Sequence, residues 1–521
     1  MARIRSGLPS GHGELVAVPE YGTWADLARE GARMSSAWDF ALCGVEIASV
    51  RRMARREALT AAAAFSARLG VPVREVPAEP PLVVATGHQP ELYHPGVWVK
   101  DFLLQRLAEE TGAIAVDLVV DSDGFETLGI HSPCLKPEVR VCTAYLAVGT
   151  NDGCYACAPV PSASDVEAFC KAGSEQLRTL SAPAIGHHFD RFCSALRSSL
   201  PEADNLAELV TIARRRFESP AETDYLELPV TKMAGSQAFA TFAAHIALDA
   251  LAFATAYNDA LAEYRLRSGT RSPAQPFPDL AVDGDLVELP LWLVDGRRRA
   301  VWARTGSRPA LVVDGVDVCV LGDEADAPRR ILEAGLPLAP KALALTMFTR
   351  LLVVDLFIHG IGGGRYDQVT DDVLRRYFGI EPPPFVVASM TVYLPLGARL
   401  VADGEIESAT MALNRLRHNP DQMLDDVEFD SVAERTQATE LAHTKADLVA
   451  AIALPGADKK TLGITIREVN AQLAALLGPW ESSLQSELEE LVRMRQAADI
   501  LTDRSYPFCF WSPEEIADKV R

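Results

Sequence analysis

Two apolar runs separated by one amphipathic helix constrain the fold of this chain more than any other feature. Residues 82–85 form a short buried-strand pattern that ends in Thr86-Gly87, residues 96–111 have helical spacing, and residues 113–120 form a second apolar run. Strand, helix and strand in this order make the right-handed crossover unit of a parallel sheet. The sequence therefore predicts an α/β protein that binds ligands at the carboxyl ends of these strands.

The same pattern returns late in the chain. An apolar run at 351–357 is followed by a glycine-rich loop, a helix at 369–378 and a strand at 385–390. We therefore predict one Rossmann-like parallel sheet interrupted by a long insertion. The predicted organisation is an N-terminal helical segment at 1–80, a sheet core at 81–130 and 335–400, an inserted connecting region at 131–334, and a helical region at 401–521.

The connecting region and the C-terminal region show different periodicities. Residues 237–267 predict a long helix, whereas 286–301 and 310–321 predict antiparallel strands with turns at Asp295-Gly296 and Asp314-Gly315. The last region carries leucines and other apolar residues at spacings of four and three, which predict a helical hairpin or short coiled coil and a possible homodimer surface. Those residues are Leu462, Ile466, Val469, Leu473 and Leu476, continued by Leu484, Leu488 and Leu491 after Gly478-Pro479.

The net charge of the chain disfavours certain classes of binding partner. Its 521 residues carry a formal net charge of -21, which repels phosphate backbones and anionic membrane surfaces. We predict small-molecule substrates and neither a nucleic-acid nor a membrane partner. The first residues lack the apolar core of a secretory signal, and no run of about 20 apolar residues follows. A cytoplasmic location is expected.

The cysteines favour reduced thiols. Nine cysteines are an odd number, and the chain shows no export signal. Cys154 and Cys157 form a single Cys-x-x-Cys motif, whereas a structural zinc site usually has a second pair. No metal ligand is assigned, and zinc stays an alternative to buried thiols.

The first motif that could carry chemistry is TGHQPELYHPG at 86–96. It places Gly87, His88, Gln89, His94 and Gly96 between the predicted strand and helix, where helix N-terminal amides favour anions. Imidazole can donate to a phosphate oxygen or neutralise developing charge. The alternative for His94 is that it merely caps the helix.

The second motif is VVDSDGFET at 119–127. Acidic side chains just past a strand can hold Mg²⁺, a ribose or an ammonium group. Asp121 is a candidate catalytic residue, and Ser122 and Asp123 are candidate substrate contacts. An Asp-Gly turn with a solvated Asp123 is the structural alternative.

The third motif is HGIGGGRYD at 359–367. Its glycines Gly362, Gly363 and Gly364 permit close backbone approach to a ligand. The side chains that flank them are candidate substrate contacts, because they combine a guanidinium fork with polar and aromatic groups. Those side chains are His359, Arg365, Tyr366 and Asp367. The segment lacks the Lys-Ser/Thr of a P-loop.

Together these motifs resemble the family of cysteine-adding enzymes of bacillithiol synthesis, the cysteine ligases. Residues 87–90 look like the family's Gly-Gln-Gln loop, followed by a Pro-Gly step and a helix bearing Lys100. Residues 120–123 are similar to its Glu-Asp-His-Asp strand end, and residues 361–364 to its Val-Gly-Gly-Pro loop. The chain departs from the family at Val120, Ser122 and Gly364, where the family has glutamate, histidine and proline.

The resemblance implies a nucleotidyltransferase-type core with connecting insertions and a C-terminal coiled coil. It also implies an ATP-dependent ligase, with Mg²⁺, that joins an amino acid such as cysteine to an amine of a small metabolite. In that hypothesis His88 stabilises phosphate charge, and Gln89 and Asp121 orient ribose or the amino group. Two alternatives remain open: a non-catalytic nucleotide- or metabolite-binding protein, and a metal-dependent hydrolase that uses His88, His94 and Asp121.

Overall fold

A computed structural model describes residues 9–521 of the chain except 136, 137, 151, 271, 273, 274, 276, 398 and 400. These residues divide into two units. The larger unit contains Val141–Leu394, Arg504–Arg521 and the described residues up to 135, and the smaller unit contains Pro395–Asp503 with residues 138–140. The segment Arg504–Arg521 thus belongs to the larger unit although the smaller unit precedes it in the sequence.

The strands have the following bounds: β1 Glu14–Val18, β2 Ala41–Leu42, β3 Val45–Glu46, β4 Val83–His88, β5 Ile114–Val119, β6 Thr127–Cys134, β7 Arg140–Val148, β8 Leu226–Pro229, β9 Val282–Asp283, β10 Leu286–Val294, β11 Arg298–Arg304, β12 Ala310–Val313, β13 Val316–Val320, β14 Leu338–Pro340, β15 Leu356–His359 and β16 Phe385–Thr391.

The helices have the following bounds: α1 Trp24–Ser36, α2 Ile47–Ser66, α3 Pro95–Thr111, α4 Ala163–Leu177, α5 Pro183–Ser199, α6 Leu206–Glu218, α7 Val230–Ala234, α8 Gln237–Leu248, α9 Ala250–Ser268, α10 Ala327–Glu333, α11 Ala342–Phe348, α12 Ile361–Val373, α13 Asp403–His418, α14 Val432–Ile452, α15 Lys459–Leu476, α16 Gly478–Leu501 and α17 Pro513–Asp518.

The central sheet of the larger unit has the strand order β1-β16-β15-β4-β5-β8. β1 pairs antiparallel with β16, and the other neighbours are parallel. The predicted unit of β4, α3 and β5 is present, so the α/β class is confirmed. From β4 the chain proceeds to β5 on one side, and from β15 to β16 on the other. A crevice therefore opens between the carboxyl ends of β4 and β15, where open α/β sheets bind ligands.

Burial explains why the predicted strands are so apolar. Strands of a parallel sheet that is covered on both faces lack the alternation of half-buried strands, and every residue of β5 is buried. α3 begins at Pro95 after His94, and Gly112 follows its end at φ 70°. Proline at the first helical position and a left-handed glycine after the end are standard helix boundaries.

A second, antiparallel sheet has the order β13-β12-β11-β10-β14, with β9 paired to β10. The two predicted Asp-Gly turns connect β10 to β11 and β12 to β13, so this prediction is confirmed. Asp314 and Gly315 have φ of 51° and 80°, which is the geometry of a tight hairpin turn that favours Asp-Gly.

Three predicted elements differ from the structure. The run at 351–357 is helical at Thr349–Val353, and its strand begins only at Leu356. The predicted glycine loop is the first turn of α12, which starts at Ile361. The predicted connecting region at 131–334 contains β8, which pairs with β5 in the central sheet.

The predicted helix at 237–267 consists of α8 and α9, which meet at 90°. Among the described residues no single helix has the length and apolar character needed to cross a membrane. This bent pair meets the requirement jointly, by length and composition only.

The smaller unit is helical. The apolar repeat of α15 and α16 packs in two separate helix pairs. Val469 and Leu473 of α15 pack against Ala438 of α14. Leu484 of α16 packs against Leu413 and Leu416 of α13. The repeat before Gly478 and the repeat after it therefore face different partners, which is a correction to the single continuous row of leucines predicted from spacing.

Candidate functional site

A cavity of about 700 Å³ lies in the crevice between β4 and β15. Both the loop after β4 and the start of α12 line it, so the structure brings the first and third motifs together. The predicted site residues that line it are Gly87, His88, Gln89, His94, Gly96, Ser122, Asp123, His359, Gly362, Gly363, Tyr366 and Asp367.

His88 ends β4 and faces this cavity as a neutral ring. Its Nδ1 lies 3.1 Å from the carbonyl oxygen of Gln89. A carbonyl only accepts, so Nδ1 carries the proton and Nε2 is the acceptor of the neutral ring. Burial, together with the nearby Lys100 cation, lowers the pKa of His88 to about 3. At neutral pH His88 therefore contributes no positive charge of its own, and its predicted role toward phosphate stays a prediction.

Gln89 and Asp123 form one hydrogen-bonded group on the cavity wall. The Gln89 amide donates to Asp123 Oδ2 at 2.8 Å, and Arg298 donates to Asp123 Oδ1 at 2.9 Å. The backbone N–H of Gly124 donates to the same Oδ1 at 2.9 Å. Asp123 is therefore held in place by three donors, while its side chain is 42% exposed as the alternative of a turn residue predicts.

Lys100 lies beneath the loop after β4, and the sequence prediction did not include it among the site residues. Its side chain projects from α3, is 2% exposed, and donates to Thr86 Oγ1 at 3.0 Å and to the Gly87 carbonyl at 2.9 Å. An ammonium has three donors, and these two bonds use two of them. Burial lowers the pKa of Lys100, and a nearby anion would favour its charged form.

His94 and Gly96 shape the start of α3. The Gly96 N–H donates to His94 Nδ1 at 3.0 Å, so His94 caps the helix as the structural alternative predicted. A Cβ on Gly96 would lie 2.5 Å from the Met390 carbonyl and 2.5 Å from the Arg504 guanidinium. Only glycine fits here, because real side chains do not approach backbone so closely.

His359 ends β15, opposite His88 across the crevice. Its Nε2 lies 2.9 Å from Asp367 Oδ2, and Arg350 donates to that same oxygen at 2.6 Å. Burial alone would raise the pKa of Asp367, but Arg350 and His359 outweigh burial and hold that pKa well below its usual range. Asp367 is therefore a buried anion that fixes the His359 ring, and its role is to position that ring.

The glycines of α12 have separate roles. A Cβ on Gly363 would lie 2.9 Å from His359 Nδ1, and a Cβ on Gly364 would collide with Val387 of β16. Nothing lies within 4 Å of such an atom on Gly362. Gly362 and Gly363 line the cavity, whereas Gly364 lies in the packing between α12 and the sheet.

An aromatic wall forms part of the lining of the cavity. The ring of Tyr366 lies 5.7 Å from that of Phe277, and Trp292 also lines the cavity. Lys341 Nζ lies 4.4 Å above the Trp292 ring and 2.5 Å from Glu288. Phe277, Trp292 and Lys341 come from segments that the sequence prediction did not connect with the site, because only the tertiary fold brings them there.

Two predicted site residues besides Gly364 lie outside the cavity. Asp121 is 3% exposed, accepts the Thr231 N–H at 2.9 Å, and is also bonded by the Thr231 hydroxyl. Burial raises the pKa of Asp121 to about 6. Its carboxylate anchors the start of α7, and its catalytic role stays a prediction. Arg365 is exposed and does not line the cavity.

The cysteines also differ from expectation. Cys154 is joined to Cys157, and Cys134 to Cys142, as disulfides. The expectation of reduced thiols is wrong for these four residues, and their sulfurs are not available as thiolate ligands for zinc. Among the described residues, no group of three or more His, Cys, Asp or Glu side chains is arranged to hold a metal ion.

Comparison of the chain with protein-family models and with curated protein sequences gives no match. The fold class established here is α/β, with a mixed sheet and many helices.

Proposed function

We propose that this protein is an ATP-dependent ligase that joins the carboxylate of an amino acid to an amine of a small metabolite, on a Rossmann-like nucleotidyltransferase-type core. The observation that carries the proposal is the convergence of the His88 loop and the glycine-rich start of α12 around one cavity of about 700 Å³. Such a cavity is large enough for two reactants, and holding both in one place supplies much of the acceleration in condensation chemistry.

Cations and backbone amides in the lining support the binding of phosphate groups in this cavity. Lys100, Lys341 and Arg504 line the cavity although the chain as a whole is strongly acidic. The first turn of α12 presents backbone N–H groups, and a helix start favours anions. These residues would hold the triphosphate of ATP, accompanied by Mg²⁺ as its counterion.

The aromatic wall supports the binding of the purine ring of ATP by stacking. Tyr366, Phe277 and Trp292 offer flat apolar faces, and stacking between flat ring systems is favourable. Under this proposal ATP lies along the α12 side of the cavity, and the carboxylate and amine react near His88.

His88 suits a role as a neutral hydrogen-bond acceptor that positions the amine. Since Nδ1 donates to the Gln89 carbonyl, Nε2 can accept a hydrogen bond from the N–H of the attacking neutral amine and orient its lone pair. Gln89 would act as a positioning residue, because its amide fixes Asp123. His359, oriented by Asp367, would contact the nucleotide or the carboxylate.

The test is an assay for nucleotide-dependent amide formation. Purified protein with ATP and Mg²⁺ is offered pairs of amino acids and amines, and AMP, ADP, pyrophosphate and amide are quantified. His88→Asn and Lys100→Met should lower the rate at least tenfold, whereas His187→Gln, an exposed histidine outside the cavity, should not. Absence of nucleotide consumption with every pair would refute the ligase.

One observation favours a non-catalytic binding protein as the second candidate. Asp121, the predicted catalytic carboxylate, is occupied by Thr231. Calorimetry separates the two candidates: the binding protein retains tight ATP binding in the His88→Ala variant and shows no turnover. The hydrolase alternative loses support for the same reason, since His88 and His94 line the cavity without Asp121.

A further inference from the structure

A second cavity, of about 450 Å³, adjoins the first. His88, His94, Val97 and Ser505 line both cavities. The other walls of the smaller cavity come from residues 91–93 and from the hairpin of β6 and β7. Two compartments that share His88 can place two different ligands on either side of one imidazole ring.

The two cavities differ in charge. The larger one is lined by Lys100, Lys341 and Arg504, and also by Asp123 and Asp367, each of which is paired with an arginine. None of the described residues that line the smaller one is a lysine or arginine, and its carboxylate is Glu91. Hydroxyl groups of Thr127, Thr143 and Tyr145 also belong to its lining. The smaller cavity therefore favours a cation with hydrogen-bonding groups.

Glu91 is held in place by a neutral donor. The Tyr155 hydroxyl donates to Glu91 Oε1 at 3.1 Å, and the Tyr155 ring stacks on Phe125 with 4.5 Å between centroids. Burial raises the pKa of Glu91, and the Asp123 carboxylate adds to the effect. A partly buried carboxylate in this position gains stability when a cation binds beside it.

We infer that the smaller cavity binds the amine substrate of the proposed ligase as a protonated primary amine bearing hydroxyl groups, with its ammonium on Glu91. Calling this ligand the substrate rests on the proposed function, whereas selectivity of the cavity for a hydroxylated cation does not. The shared His88 then lies between the bound amine and the larger cavity.

The experiment compares two probes with the same carbon skeleton. Serinol (2-amino-1,3-propanediol) carries an ammonium where glycerol carries a hydroxyl group. Binding of each to the full-length protein is measured by ligand-observed NMR and calorimetry, without nucleotide. The variants are Glu91→Gln and, as the matched control, Glu126→Gln, since Glu126 is exposed and lines neither cavity.

The wild-type protein and Glu126→Gln should bind serinol at least tenfold more tightly than glycerol, and Glu91→Gln should lose that difference, as expected for a hydrogen bond between charged groups. Thermal unfolding confirms that Glu91→Gln is folded. Equal binding of the two probes, or a preference retained in Glu91→Gln, overturns the inference, as does no serinol binding at millimolar concentration.

The same measurements distinguish the two proposals. Serinol selectivity that depends on Glu91, combined with no nucleotide consumption for any substrate pair, would refute the ligase and leave the cation cavity. Nucleotide-dependent amide formation without serinol selectivity would leave the ligase and refute this cavity as its amine site.

Discussion

His88 illustrates how burial changes what a side chain can do. From the sequence, a histidine after a buried strand predicts a ring that donates to a phosphate oxygen or neutralises developing charge. In the structure its pKa is lowered to about 3, first by burial and then by Lys100. The same ring is therefore a neutral acceptor over the whole physiological range. Its altered pKa has a consequence for stability as well as for chemistry.

The first prediction concerns the effect of the lowered His88 pKa on the pH dependence of stability. Between pH 6.5 and about pH 3 the unfolded chain protonates His88 and the folded chain does not, so the free energy of unfolding falls as pH falls in this window. His88→Gln should remove this dependence, which is at most about 1.4 kcal/mol per pH unit. Urea unfolding at a series of pH values measures it.

His187→Gln is the matched control, because His187 is exposed, and it should keep the wild-type slope. If His88→Gln and wild type show parallel curves between pH 6.5 and 4, the lowered pKa of His88 is wrong.

The second prediction concerns Arg350, which is fully buried and paired with Asp367 and Asp371. Arg350→Met leaves two buried carboxylates without their cation, and removing one partner of a buried pair costs about 3–5 kcal/mol. Chemical denaturation measures the loss. Arg365→Met changes an exposed arginine two positions before Asp367 and should alter stability by less than about 0.5 kcal/mol.

At the scale of elements, the sequence predicted the strands, helices and turns that depend on interactions between residues close in the chain. The unit of β4, α3 and β5 follows from apolar runs and helical spacing, and the hairpin turns follow from Asp-Gly. The antiparallel pairing of β1 with β16 joins Glu14–Val18 to residues 387–391, and no pattern within residues 14–18 indicates it. The contact of Asp121 with Thr231 joins residues 110 positions apart, so no pattern around Asp121 indicates that Thr231 occupies its carboxylate.

The start of α12 was predicted to be a loop but is helical. Three consecutive glycines disfavour a helix by about 1 kcal/mol each relative to alanine, so the sequence indicated a loop. The structure nevertheless begins a helix at Ile361, because tertiary packing outweighs propensity where Gly364 meets Val387. The convergence of the two motifs at one cavity could be predicted from the sheet topology, whereas Lys341, Phe277 and Trp292 could not.

The third prediction compares two of these glycines. Gly364→Ala places a methyl group against Val387 and should destabilise the protein by about 1–3 kcal/mol. Gly362→Ala meets no atom within 4 Å and should be neutral or stabilising by up to about 1 kcal/mol, because alanine is the better helix former. Thermal unfolding of both variants measures the difference, and equal destabilisation would contradict the packing described for α12.

At the scale of the whole molecule, the chain leaves the larger unit at Leu394 and returns to it at Arg504. The returning segment is an integral part of that unit. Phe508 is fully buried, and its ring lies 5.1 Å from Trp98 and 6.0 Å from Phe217. Arg504 donates to the Ser389 hydroxyl at 3.0 Å and to the Met390 carbonyl at 2.9 Å.

The fourth prediction follows from this return. Phe508→Ala should destabilise the larger unit by about 3–5 kcal/mol, as expected for removing a buried aromatic ring. Leu454→Ala, at an exposed leucine of the smaller unit, serves as the control and should change stability by less than about 0.5 kcal/mol. Hydrogen exchange resolved by peptide shows which unit is affected, and unchanged protection of β4 and α3 in Phe508→Ala would refute the proposed role.

The order of synthesis gives the returning segment a further consequence. A ribosome adds roughly 5–20 residues per second, so more than a hundred residues separate completion of β16 from the arrival of Arg504 and Ser505. During those seconds the larger cavity lacks part of its wall, and the aromatic cluster around Trp98 lacks Phe508. A nascent chain in this interval exposes apolar surface that a chaperone can recognise, and the wall of the cavity is completed only after the helices of the smaller unit have been made.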